Sequence, residues 1–436
     1  MNFNRINLKD MNRIIGCLVF SAITATAFAQ SGSTSPYSQF GLGDLTDQGV
    51  GFNKGMNGVG LAFRKGNEVN PLNPASYSAV DSVTMIFDAG LSGQITNFKE
   101  GGSRFNGKSG GFDYVVGMFR AVRGLGVSVG VQPYSNVGYK YSSTSTVPGS
   151  QTQQASTYEG DGGLHQLFLG AGIQLFKPLS VGFNIAYVWG EFDRSFIGTT
   201  NIASAKYLKK QYAASVHSYK LDLGVQYEQA LGAGNSLTIG ATYSPGHNLK
   251  ADPTCRIISV NPLSSVSDTT SYTIRNGLSL PTAMGVGLGF SHHKKLRVGA
   301  DFQIQKWGSV DMPSDEGGAY ALRSGLLRDS YRANLGAEWI PNPNSTRHVF
   351  SHMRYRIGAG YASPYYNING QKGPKELSVS LGLGIPIMNA YNNRSFLNIS
   401  GQFVHRSADN LITENTLRLN IGLTFNERWF AKWKVE

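Results

Sequence analysis

The sequence has few cysteines, little charge and no long apolar run beyond its N-terminus. It holds only two cysteines, and Cys17 lies in a segment expected to be removed, so Cys255 has no partner for an intrachain disulfide. Charged residues make up 15% of the chain. The lack of a second run of about 20 apolar residues argues against helical membrane spans. Glycine is abundant instead, with 54 residues, and 11% of the chain is aromatic, which favours a β-rich protein.

The N-terminus has the pattern of a secretory signal peptide over residues 1–29. A basic region (Arg5, Lys9, Arg13) precedes an apolar one (14–27), and Ala27-Phe28-Ala29 is a small-x-small cleavage site. Met11 is an alternative start. The mature chain is therefore expected to be exported.

The last predicted strand alternates apolar and polar residues. From Thr416 to Phe425, apolar residues (Leu417, Leu419, Ile421, Leu423) alternate strictly with polar ones. A period of two over this length predicts a β-strand with one apolar and one polar face. The apolar face would turn inward in a soluble sandwich and outward to lipid in a membrane barrel. The tail at 427–436, with Trp429, Phe430 and Trp433, suits a membrane–water boundary and is expected to lie in the periplasm.

Strands of this kind recur from residue 82 to residue 426. The pattern predicts fourteen of them, at 82–98, 111–120, 124–143, 163–176, 179–194, 214–231, 236–250, 278–291, 295–307, 329–340, 351–362, 375–388, 394–406 and 414–426. Short connectors follow the even strands and long ones, including 144–162 and 195–213, follow the odd strands. This alternation is typical of outer-membrane barrels, whose even strand number leaves both termini in the periplasm. The predicted fold class is all-β, a 14-stranded antiparallel transmembrane β-barrel.

Residues 30–81 do not have a strand pattern. Turns rich in glycine and proline interrupt them, yet Phe40, Phe52 and Phe63 make the segment too apolar for a disordered tail. We expect a compact irregular segment, a hatch or plug, inside the barrel lumen.

No constellation typical of an enzyme stands out. His292-His293 lies in a basic turn without carboxylate or cysteine neighbours, which argues against a metal site. Gly285 to Gly289 lie within an alternating strand, so these glycines are expected to make room for the hatch and not to bind phosphate. We therefore predict no catalytic residue, no metal and no cofactor. The net charge of +12 favours outer-membrane lipid and lipopolysaccharide as partners over nucleic acid.

Several short motifs occur along the mature chain: Gly58-Val59-Gly60-Leu61-Ala62, Asn73-Pro74-Ala75, Leu280-Pro281, the stretch 334–339 and the stretch 355–361. Together they resemble the FadL/TodX family of outer-membrane transporters of hydrophobic compounds. The resemblance implies a fourteen-stranded barrel of a Gram-negative outer membrane, with an N-terminal hatch. It also implies a break in the third strand through which ligand leaves sideways into the membrane.

The resemblance assigns roles to particular positions. Asn73, Pro74 and Ala75 would form the hatch, with Phe40, Phe52 and Phe63 offering apolar surface to a ligand. Pro133 and Gly138 fall in the third strand, where proline removes a ladder donor and glycine weakens pairing, so a lateral gate would lie there. The alternative is that Pro133 marks only a bulge or the exit from the bilayer.

The sequence departs from a hydrophobic transporter in its lumen. Many inward positions are charged, and a lumenal ion network is expected from Asp301, Glu338, Arg354, Arg356 and Arg418. In it, Asp301, Gly336 and Arg356 are predicted to lie abreast on three neighbouring strands. Apolar surface for a ligand would then come from the hatch phenylalanines with Phe168, Phe192 and Trp307. The segment 202–212 is either an amphipathic helix of a surface capture site or a plain solvated loop.

Two functions follow from these features. The first is passive uptake of small hydrophobic molecules, such as long-chain fatty acids or aromatic hydrocarbons, through the hatch and a lateral opening. The alternative is a non-transporting structural subunit of an outer-membrane protein assembly or secretion complex, with other outer-membrane proteins as partners. The overall resemblance favours the first, and the charged lumen and basic tail favour the second.

Overall fold

A computed structural model describes residues 33–428, apart from 83, 147, 203, 265–266, 317, 344–348 and 388–394. The predicted signal peptide and the aromatic tail from residue 429 lie outside this range. Fourteen long strands form the wall: β1 Thr84–Glu100, β2 Ser103–Val122, β3 Leu125–Thr146, β4 Gln153–Gln174, β5 Leu179–Thr200, β6 Tyr207–Gly232, β7 Asn235–Ser244, β8 Ala283–His292, β9 Leu296–Gln305, β10 Ser330–Trp339, β11 Arg354–Ala362, β12 Lys375–Ile387, β13 Ser395–Ser407 and β14 Thr413–Arg428.

The strands close into one antiparallel barrel. Each pairs with the next along the chain, and β14 returns to β1 in an unbroken register from Thr84↔Arg428 to Lys99↔Thr413. The predicted 14-stranded antiparallel barrel is confirmed. We call the end that holds the start of β1 and the end of β14 the short-turn end, because tight turns such as 123–124 and 233–234 lie there. The opposite end is the long-loop end.

The apolar rows of the strands face outward. Leu417, Leu419 and Ile421 of β14 are 61%, 51% and 47% exposed, whereas Asn420 between them is buried. An apolar outer surface around a polar interior fits a barrel surrounded by lipid. Among the described residues, no helix has the length and apolar character needed to cross a membrane.

Strands β3 to β6 are longer than the sequence pattern predicts. They run for 22, 22, 22 and 26 residues, so most of the loops expected at 144–162 and 195–213 are strand. Both alternatives for 202–212, an amphipathic helix and a solvated loop, are wrong for its second half, because β6 begins at Tyr207. Residues 208–213 pair on one side with β5, and residues 207–213 pair on the other side with Thr254–Val260. Ladder partners on both sides outweigh a local helical pattern.

The segment 33–81 fills the lumen with short elements. These are the 3-10 helices Pro36–Gln39 and Pro74–Ala79, the two-residue strand Asp44–Leu45 and the single helical turn Gly51–Lys54. We call this segment the hatch.

Wall glycines let the hatch backbone approach the strands. A Cβ on Gly240 would lie 2.0 Å from the Leu61 carbonyl oxygen, and one on Gly126 would lie 2.0 Å from the Tyr77 carbonyl oxygen. Because only hydrogen fits at these positions, hatch and wall pack backbone to backbone. The prediction that residues 285–289 make room for the hatch is confirmed, since a Cβ on Gly287 would lie 2.7 Å from the Leu61 Cβ.

Candidate functional site

The wall of the barrel has an opening between β2 and β3. The two strands pair only from Val122↔Leu125 to Val115↔Val131. Beyond this point β2 continues to pair with β1 as far as Ser103, and β3 continues to pair with β4 as far as Thr146. Within the described residues, the facing edges of 103–114 and 132–146 have no ladder in common. The barrel is therefore open sideways over its long-loop half.

A bend across three strands makes this opening. In β3 the register shifts between Pro133 and Ser135, which leaves Tyr134 as a bulge residue. Next to it lie Gly163 of β4 (φ +149°) and Gly190 of β5 (φ +142°). A Cβ would lie 2.4 Å from the Ser135 carbonyl oxygen at Gly163, and 2.2 Å from the Gly163 carbonyl oxygen at Gly190. Only glycine fits, so these positions fix a line along which β3, β4 and β5 bend together.

The hatch binds the bent part of β3. Asp44 and Leu45 pair with Asn136 and Ser135 as a short antiparallel ladder. The Thr46 hydroxyl donates a hydrogen bond of 2.6 Å to the Pro133 carbonyl oxygen. The hatch thus satisfies backbone groups that β2 leaves unpaired.

Both predicted gate residues lie in this region. Pro133 directly precedes the bulge at Tyr134, and this bulge lies beside the opening. The two alternatives considered for Pro133, a bulge and a gate, therefore coincide in position. The Gly138 N–H donates to the Ser38 hydroxyl at 3.1 Å, which makes Gly138 a hatch contact. The glycines that produce the bend, Gly163 and Gly190, were not anticipated by the sequence reading.

A cavity of about 400 Å³ lies behind the opening, and its lining is charged. Arg406 reaches Asp44 at 3.1 Å and Glu376 at 2.8 Å. Arg418 donates from Nε to the Gln94 side-chain oxygen at 2.8 Å and has no carboxylate partner among the described ion pairs. Such a cavity is suited to water and polar groups more than to a hydrocarbon.

An ion pair joins the hatch to the free edge of β2. Lys54 of the hatch contacts Asp113, which lies at a register shift of β2 and accepts a hydrogen bond of 2.7 Å from Ser92. Both side chains are mostly buried, with 10% and 16% exposure. This pair therefore closes part of the opening.

Replacing Asp113 by asparagine is expected to loosen the free edge of β2, because it removes the charge that holds Lys54. In a Cys255→Ser background, the thiol of Gly111→Cys should react several-fold faster with a polar maleimide when Asp113→Asn is added. Glu159→Gln is the control, since its pair with Lys140 is exposed and contributes little. Equal labelling rates in the Asp113→Asn and Glu159→Gln proteins would show that the ion pair does not hold this edge.

A buried cluster of ions anchors the hatch to the wall near the short-turn end. Glu68 of the hatch accepts hydrogen bonds from Arg297 of β9, at 3.0 Å, and from Arg354 of β11. Glu338 of β10 accepts from Arg297 at 3.1 Å and from Arg356 at 2.8 Å. We call these five residues the anchor cluster. Each has an exposure of 7% or less.

Only part of the predicted ion network is thus found in the anchor cluster. Glu338, Arg354 and Arg356 belong to the anchor cluster, but Arg418 lies in the cavity behind the opening. Asp301 binds the hatch backbone instead, accepting from the Gly60 and Leu61 N–H groups at 2.7 and 2.9 Å. The prediction that Asp301, Gly336 and Arg356 lie abreast is wrong. Asp301 faces Asn334, and Arg356 faces Glu338.

Sequence reasoning missed Glu68 altogether. It lies in an irregular stretch without periodicity, so no pattern indicates which way its side chain points. The one sequence feature that could have indicated its role is that Glu68 is an acidic residue in a segment expected to lie in a lumen rich in arginine.

The predicted apolar ligand residues fall into two separate groups. Phe52 and Phe63 are buried beside the anchor cluster, with ring centroids 5.7 and 5.1 Å from the Arg297 guanidinium. Phe40 lies towards the long-loop end and stacks on Tyr366 at 5.2 Å. Phe168 belongs to the first group, and Phe192 and Trp307 to the second.

Asn73, Pro74 and Ala75 lie against the wall. The Asn73 side-chain amide donates to the Leu61 carbonyl at 2.8 Å, and its oxygen accepts from the Ala75 N–H at 3.1 Å. A Cβ on Gly182 of β5 would lie 2.5 Å from the Pro74 carbonyl oxygen. This motif therefore caps a 3-10 helix that is tightly packed against the wall.

A second cavity, of about 440 Å³, lies at the long-loop end. Its lining is aromatic and includes Phe40, Tyr139, Tyr158 and Tyr320. Arg194 borders it, stacked over the Phe192 ring at 4.7 Å and bonded to the Gly41 carbonyl oxygen at 2.7 Å. It is the more apolar of the two cavities described. Among the described residues, no group of histidine, cysteine and acidic side chains is arranged to hold a metal ion.

The anchor cluster is expected to respond to acid. Burial alone would raise the pKa of the Glu68 carboxyl, but the charges of Arg297, Lys65 and Arg354 outweigh it and lower that pKa to about 2 from 4.5. A carboxyl with a lowered folded-state pKa stabilises above its ordinary pKa and loses that contribution as pH falls through the lowered value. Anchoring should therefore hold from pH 7 to about 4.5 and weaken towards pH 2.

The measurement is hydrogen exchange of the hatch amides around 64–69, corrected for the intrinsic pH dependence of exchange. Protection should fall between pH 4.5 and 2 in the native protein and be low at all these pH values in Glu68→Gln. A native protein whose protection is constant down to pH 2 would contradict the assignment.

Solved structures of two toluene transporters and of a FadL homologue have a similar fold. The Ralstonia pickettii toluene transporter TbuX matches at a TM-score of 0.61 and 17% identity, over 88% of this chain and 99% of that one. The Pseudomonas putida toluene transporter TodX matches at 0.60 and 15%, over 89% and 100%. A Pseudomonas aeruginosa FadL homologue matches at 0.60 and 11%, over 88% and 99%. At these identities the likeness shows a shared fold.

At the level of sequence, no curated protein matches the chain. A family model named BamG matches residues 11–436, which is nearly the whole chain. The chain thus has the fold that the FadL/TodX resemblance implies, but the family model that matches it is named BamG. The chain belongs to the BamG family.

Proposed function

We propose that this protein is a non-transporting structural subunit of a protein assembly in a Gram-negative outer membrane. Its short-turn end would face the periplasm and its long-loop end the cell surface, because the first and last residues of the barrel wall, Thr84 and Arg428, lie together at the short-turn end. The observation that carries the proposal is the anchor cluster, which ties the hatch to three wall strands through buried ions.

A hatch held in this way is costly to move. Pulling Glu68 away would leave the Arg354 guanidinium buried without a carboxylate partner and Arg297 with Glu338 alone, at a cost of roughly 3–5 kcal/mol. Asp301 adds two hydrogen bonds to the hatch backbone. A small apolar molecule cannot offset this cost by binding, because the contacts that hold the hatch are polar and buried.

The cavity behind the opening also disfavours hydrocarbon as cargo. An apolar molecule there would displace water from Asp44, Glu376, Arg406 and Arg418 without replacing its hydrogen bonds.

Exposed apolar side chains at the short-turn end offer a surface to a partner. Phe350 is 76% exposed, Phe176 68%, Val122 62%, Leu231 55% and Leu175 50%. Apolar side chains grouped at one end of a barrel are typical of an interaction surface or of the membrane boundary.

The test is purification of the tagged chain from its own cell envelope in mild detergent. We expect it to elute with other outer-membrane proteins in fixed stoichiometry, and we expect Phe176→Ser with Leu175→Ser to reduce that association. Leu322→Ser is the control, because Leu322 is 45% exposed at the opposite end. Elution of the native chain alone would contradict the proposal.

A second candidate is uptake of small hydrophobic molecules, favoured by the side opening together with the aromatic cavity at the long-loop end. In this case the aromatic cavity captures the molecule, and the opening releases it into the membrane while the hatch stays in place. Phe40 would take part in capture, and the bend beside Pro133 and Gly138 in release.

The uptake candidate is tested by toluene or oleate flux into cells carrying the native chain or Gly111→Trp. Gly111 borders the opening, and a Cβ added there would meet no heavy atom within 4 Å, so tryptophan should obstruct the opening without a clash at Cβ. Gly401→Trp, an equally free position away from the opening, is the control. Flux that exceeds that of cells lacking the barrel and falls only with Gly111→Trp would favour uptake.

A further inference from the structure

A small hairpin extends the wall at the long-loop end and leaves one strand edge free. Thr254–Val260 pairs with residues 207–213 of β6, and Ser267–Thr273 pairs with Thr254–Val260, each over seven residue pairs. We call Ser267–Thr273 the free edge strand, because its other side has no ladder partner within the described part of the chain.

The free edge strand lies beyond the membrane. The last strongly exposed aromatic on the lipid-facing row of β6 is Tyr219, at 53% exposure. The hairpin starts opposite Ala213, about 20 Å further along the strand at 3.3 Å per residue. Its backbone groups are therefore reachable by a protein on the cell surface.

This edge has none of the features that usually prevent strand addition. Its register is regular over all seven pairs, and it has no proline, no bulge, no lysine and a single charge, Asp268. The free edges of β2 and β3 in the same sheet are different. The edge of β2 carries Arg104, Lys108 and the bulge at Asp113. The edge of β3 carries Pro133, the bulge at Tyr134 and Lys140, and the hatch pairs with it at Ser135 and Asn136. The edges of β2 and β3 are thus protected, whereas the free edge strand is left ready to pair.

Packing gives a second reason to expect a partner. All seven residues of the free edge strand are exposed, so no side chain of this strand is buried on either face. A strand with one neighbour and no buried side chain has little to stabilise it, and a further strand would supply both hydrogen bonds and contacts.

The charges nearby indicate the kind of partner. Arg256, which faces Ser271 across the ladder, and Arg275, just past the strand, are exposed, and Lys209 lies on the same outer face as Arg256. None of the three has a carboxylate partner among the described ion pairs. A carboxylate on the incoming strand would meet this positive field.

We propose that the free edge strand receives an extended, acidic segment of a cell-surface protein by antiparallel strand addition. The inference rests on the proposed role as a subunit of an assembly, and it specifies where one partner binds. A second copy of this chain fits less well. Two copies in one membrane have the same orientation, so the same edge of each would meet in parallel, the less stable pairing.

The experiment compares hydrogen exchange of residues 267–273 in two preparations of the full chain. One is purified from its own cell envelope in mild detergent, and the other is stripped of partners in harsh detergent and returned to the mild one. We expect exchange at least tenfold slower in the first preparation, with 254–260 equally protected in both. Arg256→Glu should lower the added protection, whereas Lys140→Glu, on the free edge of β3, should leave it unchanged.

The outcomes separate the two proposals. If partners co-purify but 267–273 exchanges equally fast in both preparations, strand addition is overturned and the subunit role stands. If the chain is alone and the strand exchanges fast, both are overturned. Protection that appears in the stripped protein as its concentration rises would identify a second copy of the chain as the occupant, and would overturn the proposal of a different partner.

Discussion

Replacing Glu68 by glutamine is expected to destabilise the anchored hatch by roughly 3–5 kcal/mol, the usual effect of removing one partner from a buried ion pair. Glu68 is 5% exposed and accepts from both Arg297 and Arg354. The neutral amide keeps the size of the side chain but not its charge. Two buried guanidinium groups then share the single carboxylate of Glu338 with Arg356.

The wall itself should survive this change. The ladders that close the barrel do not involve the Glu68 side chain, and Arg297 retains its hydrogen bond of 3.1 Å to Glu338. We therefore expect local loosening of the hatch around residues 60–69, with a smaller effect on unfolding of the barrel.

Hydrogen exchange of the hatch and the melting temperature of the barrel, measured on one sample, distinguish these effects. Glu68→Gln should raise exchange in the hatch by at least a hundredfold, as 3 kcal/mol implies at 1.4 kcal/mol per factor of ten. Glu159→Gln, at an exposed pair with Lys140, is the matched control and should change neither quantity. A hatch that remains fully protected in Glu68→Gln would show that the ion pair does not hold it.

The wall could be predicted from the sequence because a barrel repeats one simple pattern. The period of two in strands such as β12 and β14 follows from lipid on one side and a polar lumen on the other, and neither depends on distant residues. The strand ends were less predictable. Residues 195–200 and 207–213 lie above the lipid, where the apolar row no longer marks the strand.

The register between strands and the fold of the hatch could not be read in this way. Whether Asp301 faces Gly336 or Asn334 depends on a stagger that period two does not specify, since a slip of two residues keeps every side chain on the same face. Glu68 and Asp113 both form ion pairs with residues that are distant in the sequence. Local sequence patterns do not predict such contacts.

The bend in the wall illustrates the same limit. Pro133 was recognisable as a strand breaker, but Gly162, Gly163 and Gly190 read as ordinary glycines in a chain that has 54 of them. Their importance appears only when β3, β4 and β5 are placed side by side and the positive φ angles coincide.

The bend leads to the second large expected effect, that of Gly190→Ala. The backbone there has φ +142°, a region that alanine rarely adopts, and the new Cβ would lie 2.2 Å from the Gly163 carbonyl oxygen. Backbone strain of this kind costs about 1–3 kcal/mol, and the contact with a carbonyl oxygen adds to it. The atom that must move belongs to the backbone of the neighbouring strand, so the clash cannot be relieved by a side-chain rotation.

The wall can respond to this substitution in two ways, and each way changes a different measured quantity. If β5 straightens, β3 can move back towards β2, the ladder can extend beyond Val115↔Val131, and amides of β2 between 107 and 113 should become protected from exchange. If the bend is kept, the strain remains in the folded protein and the melting temperature should fall. Either way the side opening and the stability of the barrel are coupled through one glycine.

Gly93→Ala is the matched control for this substitution. Gly93 also lies within a wall strand, but a Cβ there would meet no heavy atom within 4 Å. We expect Gly93→Ala to leave both the melting temperature and the exchange of 107–113 unchanged, and Gly190→Ala to alter at least one of them strongly. If the two variants behave alike, the bend does not depend on glycine at this position, and the opening between β2 and β3 must have another cause.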